Sequence, residues 1–188
     1  DAKSRENNIQ FAINYLKKLN EFSLRQLNDL NKIDYHLIEN QLNQIIWSYT
    51  ELKDWQWNPA SYNVGEPFAM ILSGQHTSLE NRLKDLGKKA TFVVNYYEAA
   101  KKNIDKPVEV LQQLAISQNK GTLETFEQSI PDSVKISKLS KTEKQSILKN
   151  TASATQSIKN YIAWLESYKP KERRDFRLGE KLYQQEFN

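Results

Sequence analysis

Apolar residues recur three and four positions apart along most of the chain, which is the spacing of an amphipathic helix. Residues 4–20 begin the pattern, and a longer helix is predicted from a cap at Asp34 to about Lys53. Its apolar positions are Ile38, Leu42, Ile45, Tyr49 and Leu52. Because Ile46 and Trp47 widen this stripe, we expect the helix to be buried on more than one side.

Capping and breaking residues divide the rest of the chain into shorter helices. Pro67 suits the start of a helix to Ser73, and Thr77-x-x-Glu80 and Ser140-x-x-Glu143 match the capping box. Further helices are predicted at about 89–103, 108–119, 122–130 and 141–168. We expect a break or bend at Gly87, helix ends at Gly121 and Pro131, and a loop over 132–139.

The fold class predicted from this pattern is all-α, an irregular multi-helix bundle with a long aromatic loop between helices. The one β-rich run, Thr91–Tyr97, leaves a strand as the local alternative. We expect residues 1–170 to form one helical domain. Residues 171–188 are expected to form a basic linker and the start of a helix at Gly179, which leads into a C-terminal half beyond this sequence.

Composition narrows the chemistry. The 188 residues contain no cysteine, which excludes disulfides and thiolate chemistry, and only two histidines. His36 and His76 stand alone, without a metal-binding spacing, so we predict structural roles for both. The net charge is +4, but no groove-reading motif is present, and we expect no nucleic-acid partner. No apolar run is long enough for a transmembrane segment, and a first residue of Asp1 leads us to expect a processed or trimmed product.

The most unusual stretch is the aromatic segment, residues 54–62, with the sequence Asp-Trp-Gln-Trp-Asn-Pro-Ala-Ser-Tyr. In an extended chain, Trp55 and Trp57 would face the same side. They would then either plug a groove between helices or line a pocket for a partner. We favour the plug, because clustered tryptophans usually belong to a core.

The basic run Arg173–Arg177 also has two interpretations. Charge runs of this kind are usually solvated. Alternatively, one arginine could bind an anion at the start of the Gly179 helix, where backbone N–H groups favour negative charge.

The order of several motifs resembles a known family. These are Ile33–Leu42, Asp54-Trp-Gln-Trp-Asn-Pro with Tyr62, Ser78–Leu86, Ala99–Ile104, Trp164-Leu165 and Asp175–Tyr183. Together they resemble the N-terminal half of the bacterial domain-of-unknown-function family 885. The Trp-Asn-Pro stretch and the Phe-Arg-x-Gly-x-x-x-Tyr tail are the most specific pieces.

The resemblance implies an activity for the whole family protein, and this chain alone lacks the residues for that activity. Members look like zinc metallopeptidases and are often envelope lipoproteins, with a histidine motif in a C-terminal half. The implied function is therefore a non-catalytic helical portion walling a cleft that the C-terminal half completes. The implied partners are that half and a peptide substrate, zinc would belong to the full-length protein, and this chain would hold no cofactor.

The resemblance also suggests a location and a site. It implies the cell envelope or periplasm, with an attached lipid as one possibility. Candidate cleft or interface residues are Trp55, Trp57, Asn58, Tyr62, Arg177 and Tyr183, and no catalytic or metal-binding residue is assigned. The alternative is a free-standing helical module that binds a peptide or a protein.

Overall fold

The computed structural model describes residues 2–186, and within them the backbone forms helices and no strand. This confirms the all-α prediction, and Thr91–Tyr97 is not a strand, because Val93 begins a helix. The helices are α1 (Ala2–Leu19), α2 (Asp29–Trp47), α3 (Asp54–Trp57), α4 (Gly65–Ser73), α5 (Leu79–Ala90), α6 (Val93–Asn103), α7 (Glu109–Glu124), α8 (Ile130–Ile136), α9 (Lys141–Ser167) and α10 (Glu180–Glu186). Tight 3₁₀ turns occur at Leu24–Gln26 and Pro59–Ser61, and wider π-helical turns at Ser48–Leu52 and Thr125–Ser129.

The chain packs as two compact units. The first unit comprises Asp1–Asp54 and Arg177–Asn188, and the second comprises Trp55–Phe176. The domain division expected at residue 170 therefore falls within the second unit. The expected boundary separates this helical domain from a linker into a C-terminal half, and for a longer protein it stays a prediction.

The first unit is built on α1 packed along α2. Within its described residues, the buried apolar side chains are Ala12, Tyr35 and Leu42. The Tyr35 hydroxyl donates to Asn20 Oδ1 at 3.1 Å. The expectation that α2 is buried on more than one side holds only in part: Ile46 and Trp47 are half-buried, whereas Ile38 remains 48% exposed.

The second unit surrounds α9, which packs against α5, α6, α7 and α8. Its fully buried large side chains include Leu83, Leu86, Tyr97, Phe126, Ile130, Ile158, Tyr161 and Leu165. The predicted capping box starts α9: Ser140 Oγ accepts from Glu143 N, and Ser140 N donates to Glu143 Oε2 at 2.9 Å. The helix ends before Pro170, as predicted.

Two other predicted caps lie elsewhere. Helix α2 begins five residues before Asp34, because Asn28 Oδ1 accepts from Asn31 N at 2.9 Å and caps the earlier turn. Helix α5 is capped by Ser78. The predicted Thr77 instead accepts a hydrogen bond from the Asn81 side chain.

Three predicted breaks lie inside helices or at a helix start. Gly87 lies within α5, and a Cβ there would come 2.8 Å from Ile147 Cγ1, so the glycine permits close packing on α9. Gly121 lies within α7. Pro131 occupies the first turn of α8, where a proline lacks only an N–H that the helix does not use. The loop predicted over 132–139 is therefore helical as far as Ile136.

Candidate functional site

The aromatic segment is not a loop: it folds into two successive helical turns. Trp55 and Trp57 lie in α3, and Asn58 caps the following 3₁₀ turn by accepting from Ala60 N at 3.1 Å. Residues two apart in a helix lie about 200° apart. The two indoles therefore face different sides, and the expectation of one shared side is wrong.

Backbone hydrogen bonds fix this segment to the connection between α6 and α7. Asp105 N donates to Gln56 O at 2.9 Å, and Val108 N donates to Trp57 O at 3.0 Å. The two bonds pair backbone N–H groups of the connection with backbone carbonyls of the segment, so these polar groups are satisfied outside a regular helix or sheet. The segment holds the start of α7 in place.

Side chains from three helices bind the far end of the segment. Tyr62 is 8% exposed, and its hydroxyl donates to Trp55 O at 2.7 Å and accepts from Asn103 Nδ2. Asn119 of α7 donates to Tyr62 O, and Tyr161 of α9 donates to Pro59 O at 3.3 Å. Trp55 packs against the core and is half-buried. These contacts are those expected of a structural plug.

Trp57 instead borders a basic groove of about 390 Å³. The Arg174 guanidinium lies 4.4 Å from the Trp57 ring centroid, within range of a cation–π contact. The lining residues are Gln56, Trp57, Asp105, Lys106, Glu172, Arg173 and Arg174. Three cations and two carboxylates give this groove a formal charge of +1.

Charged side chains of the groove form hydrogen bonds or ion pairs with neighbouring residues. Arg173 Nη1 donates to Gln112 Oε1 at 2.9 Å, and buried Gln112 donates onward to Leu165 O and Tyr168 O. Lys106 and Glu172 form an ion pair, whose hydrogen bond raises the pKa of Lys106 and lowers that of Glu172. Arg173 and Arg174 therefore contact neighbouring side chains, although Arg173 and the rest of the basic run, Asp175–Arg177, are exposed.

The predicted site residues fall in both units. Trp55, Trp57, Asn58 and Tyr62 lie close together in the second unit, as described above. Arg177 and Tyr183 belong to the first unit, where Tyr183 is 58% exposed and its N–H donates to Gly179 O at the start of α10. A cleft formed by all six stays a prediction.

A second groove, which the sequence did not indicate, lies in the first unit. It encloses about 720 Å³ and is lined by His36, Glu39, Asn40, Asn43, Gln44, Trp47, Gln185 and Glu186. Trp47 Nε1 donates to Gln185 Oε1 at 3.3 Å, and His36 Nδ1 lies 3.3 Å from Glu39 Oε2. Periodicity assigned Trp47 to a buried stripe, and no local pattern pairs it with a residue 138 positions away.

The described part of the chain offers little acid–base or metal chemistry. In residues 2–186 no group of three or more His, Asp or Glu side chains could hold a metal ion. Burial and then the nearby Tyr62 raise the pKa of Tyr96 to about 12, and burial also raises the pKa values of Tyr97 and Tyr161. All three phenols stay neutral near pH 7; Tyr97 and Tyr161 are fully buried in the core, whereas Tyr96 is 37% exposed. That this chain holds no cofactor stays a prediction.

The helices also differ from membrane-spanning ones. Between residues 2 and 186, no helix combines the length and the apolar character that crossing a bilayer requires.

Comparison with known proteins gives one family and one solved structure. The family model described as bacterial protein of unknown function (DUF885) matches residues 1–188. A solved structure, "a putative lipoprotein of unknown function from Shewanella oneidensis", is 35% identical in sequence, with a TM-score of 0.95. The match covers 100% of this chain and 35% of the relative, so the chain spans about a third of that protein's length. No curated protein matches the sequence.

Proposed function

The chain belongs to the DUF885 family of bacterial proteins of unknown function, and on that basis we propose that it is the non-catalytic helical N-terminal portion of a longer zinc-dependent peptidase-like hydrolase. The observation that carries this proposal is the unequal coverage of the structural match. All of this chain aligns with the Shewanella oneidensis protein, but only 35% of that protein aligns with this chain. Such a portion supplies helical walls, and the remaining polypeptide supplies the reacting groups.

The chemistry of the described residues supports a walling role. A hydrolytic zinc site needs about three protein ligands and an open position for water. No group of three such ligands occurs in residues 2–186, so these residues do not fit a zinc site, and zinc would be bound by the remaining polypeptide. The peptidase class itself rests on the motif resemblance. An envelope location, with lipid attachment, is part of the same proposal and is supported by the relative's description as a lipoprotein.

The groove beside Trp57 is the part of the wall best suited to a peptide. An indole face, Lys106 and the Arg174 guanidinium together would receive an extended peptide that carries a carboxylate. In the complete cleft this groove would orient substrate rather than react with it.

Metal analysis and a peptidase assay test the proposal on two proteins. We expect the 188-residue chain to bind no stoichiometric zinc and to cleave no peptide. We expect the Shewanella oneidensis relative to contain zinc and to hydrolyse peptides until a chelator removes the metal. Stoichiometric zinc in this chain alone, or a metal-free and inactive relative, would contradict the proposal.

The second candidate function is a free-standing helical module that binds a peptide or protein, and the Trp57–Arg174 pair beside the basic groove favours it. The module requires the isolated chain to bind a peptide by itself, and Trp57→Ala, with Trp55→Ala as the matched variant, tests whether Trp57 carries that binding. Trp55 packs against the core, so its removal should cost about 3 kcal/mol of unfolding free energy. A Trp57→Ala chain that folds normally but loses binding to an acidic peptide, measured by calorimetry, would support the module.

A further inference from the structure

Helix α2 carries an apolar stripe on a side that the first unit leaves uncovered. Leu30, Ile33 and Leu37 are 75%, 58% and 62% exposed. Their spacing of three and four residues places them on one side of the helix. Tyr35, which is buried, follows Leu30 by five residues and so lies about 140° around the helix. Helix α2 therefore has two apolar sides, and one of them has no cover.

Helix α1 and the connection after it add to the exposed apolar surface. Phe11 and Tyr15 are 51% and 47% exposed, and their ring centroids lie 4.4 Å apart. Phe22, in the connection between α1 and α2, is 61% exposed. Aromatic and branched side chains are thus exposed on several parts of the same unit.

This exposure is large compared with what the unit buries. Full burial of one Leu, Ile or Phe side chain contributes about 1.5–3 kcal/mol. The first unit's described apolar core is Ala12, Tyr35 and Leu42. Monomeric proteins rarely leave apolar surface of this extent uncovered without an interaction that uses it.

We propose that the stripe of Leu30, Ile33 and Leu37 is the docking surface for the polypeptide that longer family proteins carry outside the matched region. This inference rests on the proposed function, because it names the partner of the helical portion. The Shewanella oneidensis relative has about two thirds of its chain outside the match. That additional polypeptide is long enough to provide the residues that would cover the stripe.

The charge of α2 disfavours a second copy of this chain as the occupant. Helix α2 contains one lysine and the acidic residues Asp29, Asp34 and Glu39, a formal charge of −2. Two copies meeting through α2 would bring acidic helices together. The complementary partner is an apolar helix with leucine or isoleucine at the same spacing and with lysine or arginine along its edges.

The solved structure of the relative provides a direct test. We expect the side chains aligned with Leu30, Ile33 and Leu37 to be buried there, against residues outside the matched 35%. Side chains that remain exposed, or that contact another copy, would overturn the proposal.

A solution experiment on the 188-residue chain tests the same surface. The probe is the dye 8-anilinonaphthalene-1-sulfonate, and the variant is Ile33→Gln with Leu37→Gln. Ile136→Gln is the control, because Ile136 is 77% exposed in the second unit. We expect the double variant to lower dye fluorescence by about half with an unchanged far-ultraviolet spectrum, whereas the control leaves it unchanged.

Sedimentation velocity on the same samples decides between the occupants. A monomeric wild-type chain supports the proposal, and a dimer that the double variant dissociates would overturn it in favour of a second copy. These results are independent of the proposed enzymatic class. A relative without zinc or peptidase activity would refute the hydrolase proposal and leave the docking surface intact.

Discussion

Apolar residues recur at similar spacings in helices α2 and α9, but their side chains differ in how far they are buried. In α9, Ile158 and Leu165 are fully buried because four other helices pack around it. In α2, the equally apolar Leu30 and Leu37 remain mostly exposed. An apolar period therefore predicts the helix and the side available for burial, but the neighbours decide whether that side is buried.

The same contrast separates the two units. The second unit has a continuous core with stacked aromatic rings at its centre: Tyr97 and Tyr161 have centroids 4.6 Å apart. The first unit has a narrow apolar contact between two helices. A core of that size leaves much of the unit's apolar surface in water.

Matched leucine substitutions give the largest expected difference between the units. Leu83→Ala removes a fully buried side chain from the second unit and should lower the unfolding free energy by about 2–5 kcal/mol. Leu37→Ala removes an exposed one and should change it by about 0.5 kcal/mol or less. Urea denaturation followed by circular dichroism measures both. Equal losses would mean that α2 is covered in solution, and the comparison would fail.

Local sequence features predicted the elements whose causes are local. Ser140 and Glu143 satisfy each other's backbone partners within one turn, so the capping box identified the start of α9. Pro170 likewise marked its end. The all-α class followed from periodicity alone.

Features that depend on distant residues were not predictable. The sequence predicts a break or bend at Gly87, but Ile147 packs against it from 60 positions away and the helix continues. An extended chain would place Trp57 on the same side as Trp55, whereas Trp57 lies in a helix and contacts Arg174. Ile147 and Arg174 are distant in sequence from the residues they contact, so local patterns do not indicate either contact. Tertiary packing determines both.

Two glycine substitutions sharpen the description of the tightly packed unit. Gly87→Ala should lower the unfolding free energy by about 1–2 kcal/mol, because overpacking against Ile147 exceeds the gain in helix propensity. Gly121→Ala should raise it by about 0.5–1 kcal/mol, since no atom beyond the adjacent residues and the local helix backbone lies within 4 Å of the new methyl group. Thermal melting checks both. A stabilised Gly87→Ala variant would show that α5 and α9 pack less closely than described.

The helix caps allow a smaller comparison between units. Asn28→Ala removes the cap of α2, and Ser140→Ala removes that of α9; each should cost about 0.5–2 kcal/mol. Hydrogen exchange of amides in the first turn locates each effect. We expect faster exchange confined to α2 in one variant and to α9 in the other. Exchange that rises throughout the chain in the Asn28→Ala variant would indicate that the small first unit limits global stability.

The acid response should distinguish the two caps, because Asn28 is neutral whereas the α9 box contains Glu143. The hydrogen bond from Lys84, at 2.8 Å, and then those from Ser140 lower the pKa of Glu143 from 4.5 to about 2. A carboxyl group whose pKa is lower in the folded chain contributes stability above its unfolded pKa, and this contribution is lost as the pH falls through about 2. Glu143→Gln should therefore flatten the fall in the urea midpoint between pH 4.5 and 2, and Lys84→Gln should flatten it in part. The Asn28→Ala cost should stay constant over that range, and an acid response unchanged by Glu143→Gln would assign the loss of stability to other carboxylates.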